Sequence, residues 1–213
     1  MKYRRLGKTG LEISEISLGT WQLGGKWGET FDNNLAASIL EEAYENGVNF
    51  FDTADVYNGG LSEKAIGDFL KTKKDKIYVG TKCGRGLNPH NAEGYNGQNI
   101  RGFVESSLKR MDLERLDLIQ LHCPPTDVYY KDEVFNDLEK LKSEGKIAHY
   151  GVSVERVEEA LKAMEYPGVE TVQIIFNMFR QRPAELFFEQ AKKKDIGVIV
   201  RVPLGKWVIN GQV

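Results

Sequence analysis

Three residues of this chain end apolar runs, and with one tyrosine they have the right types for proton chemistry. Asn49-Phe50-Phe51 runs into Asp52, Ile77-Tyr78-Val79-Gly80-Thr81 into Lys82, and Leu118-Ile119-Gln120-Leu121 into His122; Tyr57 follows five residues after Asp52. Tyrosine is a poor acid at neutral pH, with an unperturbed pKa near ~10, and a nearby cation favours its phenolate. Lys82 could be that cation, and Asp52 could pair with it and hold it in place. His122 could hydrogen-bond a carbonyl oxygen or share in proton transfer. Together these groups could polarise a carbonyl and protonate it as a hydride arrives on its carbon. None of them is a hydride source, so the chemistry requires a cofactor. Each residue also has a plainer reading: an ordinary Asp–Lys salt bridge, a structural histidine, and one of nine tyrosines.

Such residues need strands that end together. Polar groups past the ends of parallel strands converge on one rim in a (β/α)8 barrel, and the patterning supports that arrangement. The opening predicts a hairpin, Lys2 to Arg5 against Glu12 to Ser14 around Gly7-Lys8-Thr9-Gly10, which could plug the bottom of a barrel. Ile16-Ser17-Leu18 reads as the first barrel strand, before a Gly- and Trp-rich loop from Gly19 to Gly28. Further strands are expected at Phe50-Phe51, Ile77 to Thr81, Leu116 to Leu121, Ala148 to Val152, Val172 to Phe176 and Val198 to Val202.

Helical faces alternate with these runs. Asp32 caps a helix carrying Leu35, Ile39, Leu40, Ala43 and Tyr44, with Gly47 as its stop. Ser62 caps a second helix, reaching Leu70. Ile100, Val104, Leu108 and Met111 mark a third, Val134, Leu138 and Leu141 a fourth, and Val157, Leu161 and Met164 a fifth. Pro183 opens a sixth, through Lys194. The expectation is one α/β domain over residues 1–213, a TIM-type barrel incomplete at about seven strands.

Composition narrows the classes. At 213 residues the chain is one domain by length, yet short of the about 250 residues a full barrel usually takes. Lys+Arg 29 against Asp+Glu 31 gives a net charge of -2 with no basic stripe, so neither nucleic acid nor an anionic membrane is an expected partner. The charged start has no apolar segment after it, and no run is long and apolar enough to span a bilayer. A cytoplasmic location with Cys83 and Cys123 as reduced thiols is expected. His90, His122 and His149 lack metal spacing. There is no G-x-G-x-x-G after a strand, no Walker loop, no H-E-x-x-H and no G-x-S-x-G.

Beyond these readings, the chain resembles the aldo-keto reductases. Gly47-Val48-Asn49-Phe50-Phe51-Asp52-Thr53-Ala54-Asp55-Val56-Tyr57, continuing through Ser62-Glu63 to Ile66-Gly67, looks like the family's first signature. Arg110 to Leu121 followed by His122-Cys123-Pro124 is similar to the stretch carrying the family histidine. The resemblance runs from the hairpin to about Gly205. It implies a (β/α)8 barrel that reduces aldehydes and ketones with NADPH. Tyr57 then matches the proton donor, Lys82 and Asp52 its supporting pair, and His122 the carbonyl-orienting residue. Gly19, Thr20 and Trp21 match a loop bordering cofactor and substrate, and Ser153 and Gln173 match residues that bind the nicotinamide carboxamide. Arg201, Pro203 and Leu204 fall in the segment that meets the cofactor. Arg201 stands where many members have a tyrosine against the nicotinamide ring; a planar guanidinium can stack there too. Val154 stands where an asparagine often follows the serine, which removes one expected carboxamide hydrogen bond.

The tail departs from the family. Members continue with an eighth strand and closing helices, and the last part usually carries the pocket for the adenosine 2′-phosphate. After Arg201-Val202-Pro203-Leu204 the family often reads Ala-Ser-Gly-Leu-Leu-Thr-Gly-Lys, whereas this chain reads Gly205-Lys206-Trp207-Val208-Ile209-Asn210-Gly211-Gln212-Val213. Codons can be chosen for that tail so that deleting one G restores the family reading. A one-nucleotide insertion near the Leu204 codon is therefore expected, with a naturally short variant as the alternative. The functional alternative to a reductase is an inactive truncated chain or a non-enzymatic binding subunit.

Overall fold

Seven parallel strands lie side by side in chain order and give the molecule an inner and an outer face. The computed structural model describes residues 1–25 and 29–205. Lys26, Trp27 and Gly28 of the expected loop, and Lys206 to Val213, to which the reading-frame expectation applies, lie outside the described residues. The hairpin comes first, with β1 (Tyr3–Arg5) antiparallel to β2 (Glu12–Ser14). The sheet then runs β3 (Leu18–Gly19), β4 (Phe50–Asp52), β5 (Tyr78–Cys83), β6 (Leu116–His122), β7 (Ile147–Ser153), β8 (Val169–Ile175) and β9 (Gly197–Arg201). Helices α1 (Asn33–Glu45), α2 (Leu61–Leu70), α3 (Gly97–Met111), α4 (Asp132–Ser143), α5 (Val157–Ala163) and α6 (Phe187–Lys193) alternate with the strands from β3 on. This is the incomplete (β/α)8 barrel that the patterning predicts. Among the described residues no helix is long and apolar enough to cross a membrane.

Strand side chains alternate between the two faces. Phe51, Val79, Ile119, Leu121, Val152, Val172 and Ile174 point outward into the large core, where Leu40, Ile66, Ile100, Val104 and Leu138 of the helices meet them. Phe50, Leu118 and Ile199 point into the lumen and pack with Leu6 from the hairpin. The hairpin thus closes the strands' N-terminal end, as expected. Its turn is tied down by the Lys8 N–H, which donates to the Asp195 carbonyl (2.6 Å). Lys8 Nζ donates to the Pro167 carbonyl (2.6 Å). Gly7 has φ +51° and sits so close to the Ile196–Gly197 backbone that a Cβ would overlap it, so only glycine fits.

Local chemistry explains the boundaries. The Asp32 carboxylate caps α1 by accepting from the N–H groups of Asn34 (2.8 Å) and Leu35 (3.1 Å). Three expectations need correction. The first barrel strand is only Leu18–Gly19; the Ser14 hydroxyl donates to the Ile16 carbonyl (2.7 Å), a local bond that competes with ladder pairing. Helix α2 is preceded by Gly60 at φ +92°, and no side chain caps it; the Ser62 hydroxyl is buried and donates to Thr20 Oγ1 instead (2.8 Å). Pro183 opens a short 3-10 turn, Arg182–Ala184. Leu186 at φ −140° then breaks the helical path, and α6 starts at Phe187.

Candidate active site

The lumen changes character toward the C-terminal ends of the strands. Register pairs Gly19 with Asp52, and Asp52 with Gly80. It pairs Lys82 with Gln120, and links His122, Ser153 and Gln173 across β6, β7 and β8. These are inward positions, so the polar side chains meet above the Phe50–Leu118–Ile199 floor.

Asp52 and Lys82 form the centre. Lys82 is 1% exposed, and its Nζ donates to Asp52 Oδ2 (2.8 Å) and to the Thr53 carbonyl (2.7 Å). The other carboxylate oxygen, Asp52 Oδ1, accepts from Gln173 Nε2 (2.7 Å). Burial works against the ammonium, yet Asp52 and Tyr57 outweigh it and hold the lysine pKa above its usual value.

Tyr57 is carried over this pair by the segment after β4. That segment stays bonded to β5, the Thr53 N–H donating to the Gly80 carbonyl (2.8 Å) and the Asp55 N–H to the Lys82 carbonyl (3.0 Å). Asn58, at φ 48°, donates from Nδ2 to the Leu23 carbonyl (3.1 Å). Lys82 Nζ lies 5.1 Å from the Tyr57 ring centroid. The His122 ring stands edge-on to that ring, with centroids 5.9 Å apart and an 83° interplanar angle. Burial raises the phenol pKa, against the pull of Lys82 and Arg201, so Tyr57 keeps its proton at neutral pH. Burial, then the cations Lys82, Arg85 and Arg201, push His122 down to about 3, so its ring is neutral.

A second group continues the rim. The Ser153 hydroxyl donates to Gln173 Oε1 (3.2 Å). One terminal nitrogen of Arg201 donates to the Val154 carbonyl (3.0 Å) and lies 3.5 Å from Cys123 Sγ. Its Nε is buried without a partner among the described residues. The Val154 side chain is fully buried in the outer core, where an asparagine would lose apolar packing. Gly19 ends β3. Thr20 is 1% exposed, and its hydroxyl donates to the Asp52 carbonyl (3.0 Å). Trp21 and Leu204 are about half exposed, at 52% and 56%, and Pro203 is exposed in the turn after β9.

Asp52, Tyr57, Lys82 and His122 therefore come together, and Ser153, Gln173 and Thr20 are bonded to Asp52 or to one another. One further group joins them. Gln120 is fully buried inside the lumen; its amide within an otherwise apolar strand run is the signal that marks it. Asp55 instead lies toward Glu63 and Arg110, where burial raises its carboxyl to about 6. Chemically the arrangement offers a protonated phenol, a cation beneath it, and a neutral imidazole at its edge.

Comparison with known proteins agrees with this geometry. A profile of the aldo/keto reductase family matches residues 15–212, past the Gly205 limit drawn from the motifs. The chain is 32% identical to the uncharacterized oxidoreductase YqkF of Bacillus subtilis over 99% of its own length and 67% of that protein. It is 30% identical to a probable aldo-keto reductase of Glycine max, covering 98% of itself and 61% of the relative. The chain thus spans roughly two thirds of the length of these relatives. The holo form of aldo-keto reductase AKR11C1 from Bacillus halodurans superposes with a TM-score of 0.85 at 31% identity, over 97% of this chain and 68% of that one. By profile, by relatives and by fold, the chain belongs to the aldo/keto reductase family.

Proposed function

We propose that this chain, acting as a single domain, reduces the carbonyl of an aldehyde or ketone with NADPH, with Tyr57 as proton donor. The observation that carries the proposal is the pair of buried Lys82 and part-buried Asp52 beneath the Tyr57 ring, with His122 at the ring edge. A cofactor is needed for hydride, and the residues at the rim fit its nicotinamide end. Arg201 Nε is a buried donor without a partner among the described residues. Ser153 keeps a free lone pair and Gln173 a second N–H, a donor–acceptor set suited to a carboxamide. Gly19, Thr20, Trp21, Pro203 and Leu204 would border the cofactor along the rim.

A reduced nicotinamide, when bound, supplies the hydride. Tyr57 moves its phenolic proton to the carbonyl oxygen. Lys82 stabilises the phenolate left behind, and Asp52, held by Gln173, keeps Lys82 in place. Neutral His122 donates a hydrogen bond that orients the carbonyl. Both cysteines are free thiols, consistent with the cytoplasm as the place of action.

Turnover of small aldehydes by the Tyr57→Phe variant tests the reading. Loss of turnover with an unchanged NADPH fluorescence titration is expected; normal turnover overturns it. A wild-type chain that melts broadly, binds the dye ANS and shows no NADPH-induced shift would instead be the inactive or binding-only protein.

A further inference from the structure

Besides Arg201 Nε, three buried polar groups on the lumen face have no hydrogen-bond partner among the described residues: both amide atoms of Gln120, the Thr171 hydroxyl, and Nδ1 of His122. Their placement is orderly. Gln120 precedes His122 by two residues on β6, so the two side chains share a face about 6.4–6.8 Å apart along the strand. Across the sheet, Gln120 pairs with Gly151 and Gly151 with Thr171. A Cβ at Gly151 would overlap Thr171 Oγ1, so that hydroxyl leans over the glycine toward Gln120. Gln120 and Thr171 are both 0% exposed.

Buried polar atoms are satisfied by protein or by ordered water, and a buried water takes two to four polar partners. Gln120 alone offers two N–H donors and an acceptor oxygen. The other two histidines already have protein partners. His90 Nε2 lies 2.9 Å from the Tyr95 hydroxyl, and His149 Nδ1 lies 2.7 Å from Glu170 Oε2. Which nitrogen of a neutral imidazole bears the proton is set by the bond the other nitrogen makes.

We propose that Gln120 and Thr171 build an internal water site in the lumen, and that water held there donates to His122 Nδ1, leaving the ring proton on Nε2. Gln120 is then a positioning residue. It fixes His122 as a hydrogen-bond donor rather than an acceptor, the form a carbonyl oxygen requires. The catalytic consequence rests on the reductase reading; the tautomer does not.

Proton–nitrogen NMR on the full chain labelled with 15N-histidine tests this, with His90 and His149 as internal controls. The wild type is expected to show His122 as the Nε2–H tautomer. Gln120→Met, close in shape but without hydrogen bonds, should shift the tautomer balance and lower kcat/KM for aldehydes by on the order of tenfold, with cofactor affinity unchanged. Thr171→Val should act in the same direction and Thr171→Ser should restore the wild-type spectrum. These two variants carry the test if Gln120→Met does not fold. A wild-type Nδ1–H tautomer, or a tautomer unmoved by both Gln120→Met and Thr171→Val, overturns the proposal. If Tyr57→Phe retains turnover while the tautomer shifts, the reductase reading fails and the water site stands.

Discussion

The floor and the rim of the lumen are built by the same strands and differ by one inward step. On β4 the floor residue is Phe50 and the rim residue Asp52; on β6 Leu118 gives way to Gln120 and then His122; on β9 Ile199 gives way to Arg201. The floor is an apolar cluster that includes Leu6 from the hairpin. The rim buries a charged pair and a neutral imidazole. Burying paired charges contributes little net stability against an apolar alternative, whereas removing one partner is costly. The floor is therefore expected to carry more of the barrel's stability than the rim, whose proposed role is chemical.

Lys82→Met breaks that contrast most sharply. It leaves the largely covered Asp52 carboxylate with only Gln173, so a loss of up to about 3–5 kcal/mol is expected in denaturant unfolding, with turnover reduced by about 10²–10⁴. The double variant Asp52→Leu/Lys82→Met should regain most of that stability and none of the turnover. A double variant as unstable as the single would show that the rim, too, is structural.

Acid separates the regions next. The folded pKa of His122, about 3, lies below its unfolded value near ~6.5. The stability of the neutral ring is fully present above ~6.5 and is lost as pH falls toward 3, of order 3–5 kcal/mol. His122→Gln should move the acid-unfolding midpoint to lower pH. A floor variant such as Leu118→Ala should not move it in that direction. That variant should cost about 2–5 kcal/mol at neutral pH through its cavity, with cofactor affinity and the pH dependence of turnover unchanged. The smallest effect belongs to neither region. Asp32→Ala removes the α1 cap and should cost about 1 kcal/mol by thermal melting, with no change in turnover.

Much of this was legible in the sequence for a physical reason. Strands buried on both faces read as continuous apolar runs, so the polar residue that ends each run announces the rim. That is how Asp52, Lys82 and His122 are found, and the Asp32 cap and Gly47 stop follow from local chemistry. Long-range bonds were not legible. Nothing near Ser62 says that its hydroxyl joins Thr20 rather than capping a helix. Nothing near Ser14 says that its hydroxyl shortens the first strand. Gln120 was visible as an oddity, but its loneliness depends on Gly151 and Thr171, which arrive on later strands.

The Gln173–Asp52 bond joins residues 121 positions apart. The Asp52–Lys82 contact closes over only 30 positions, so a chain emerging from its N-terminus could pair these charges early. The last oxygen of Asp52 would stay in water until β8 had docked. In time rather than space, the centre of this site is finished by one of the last strands to arrive.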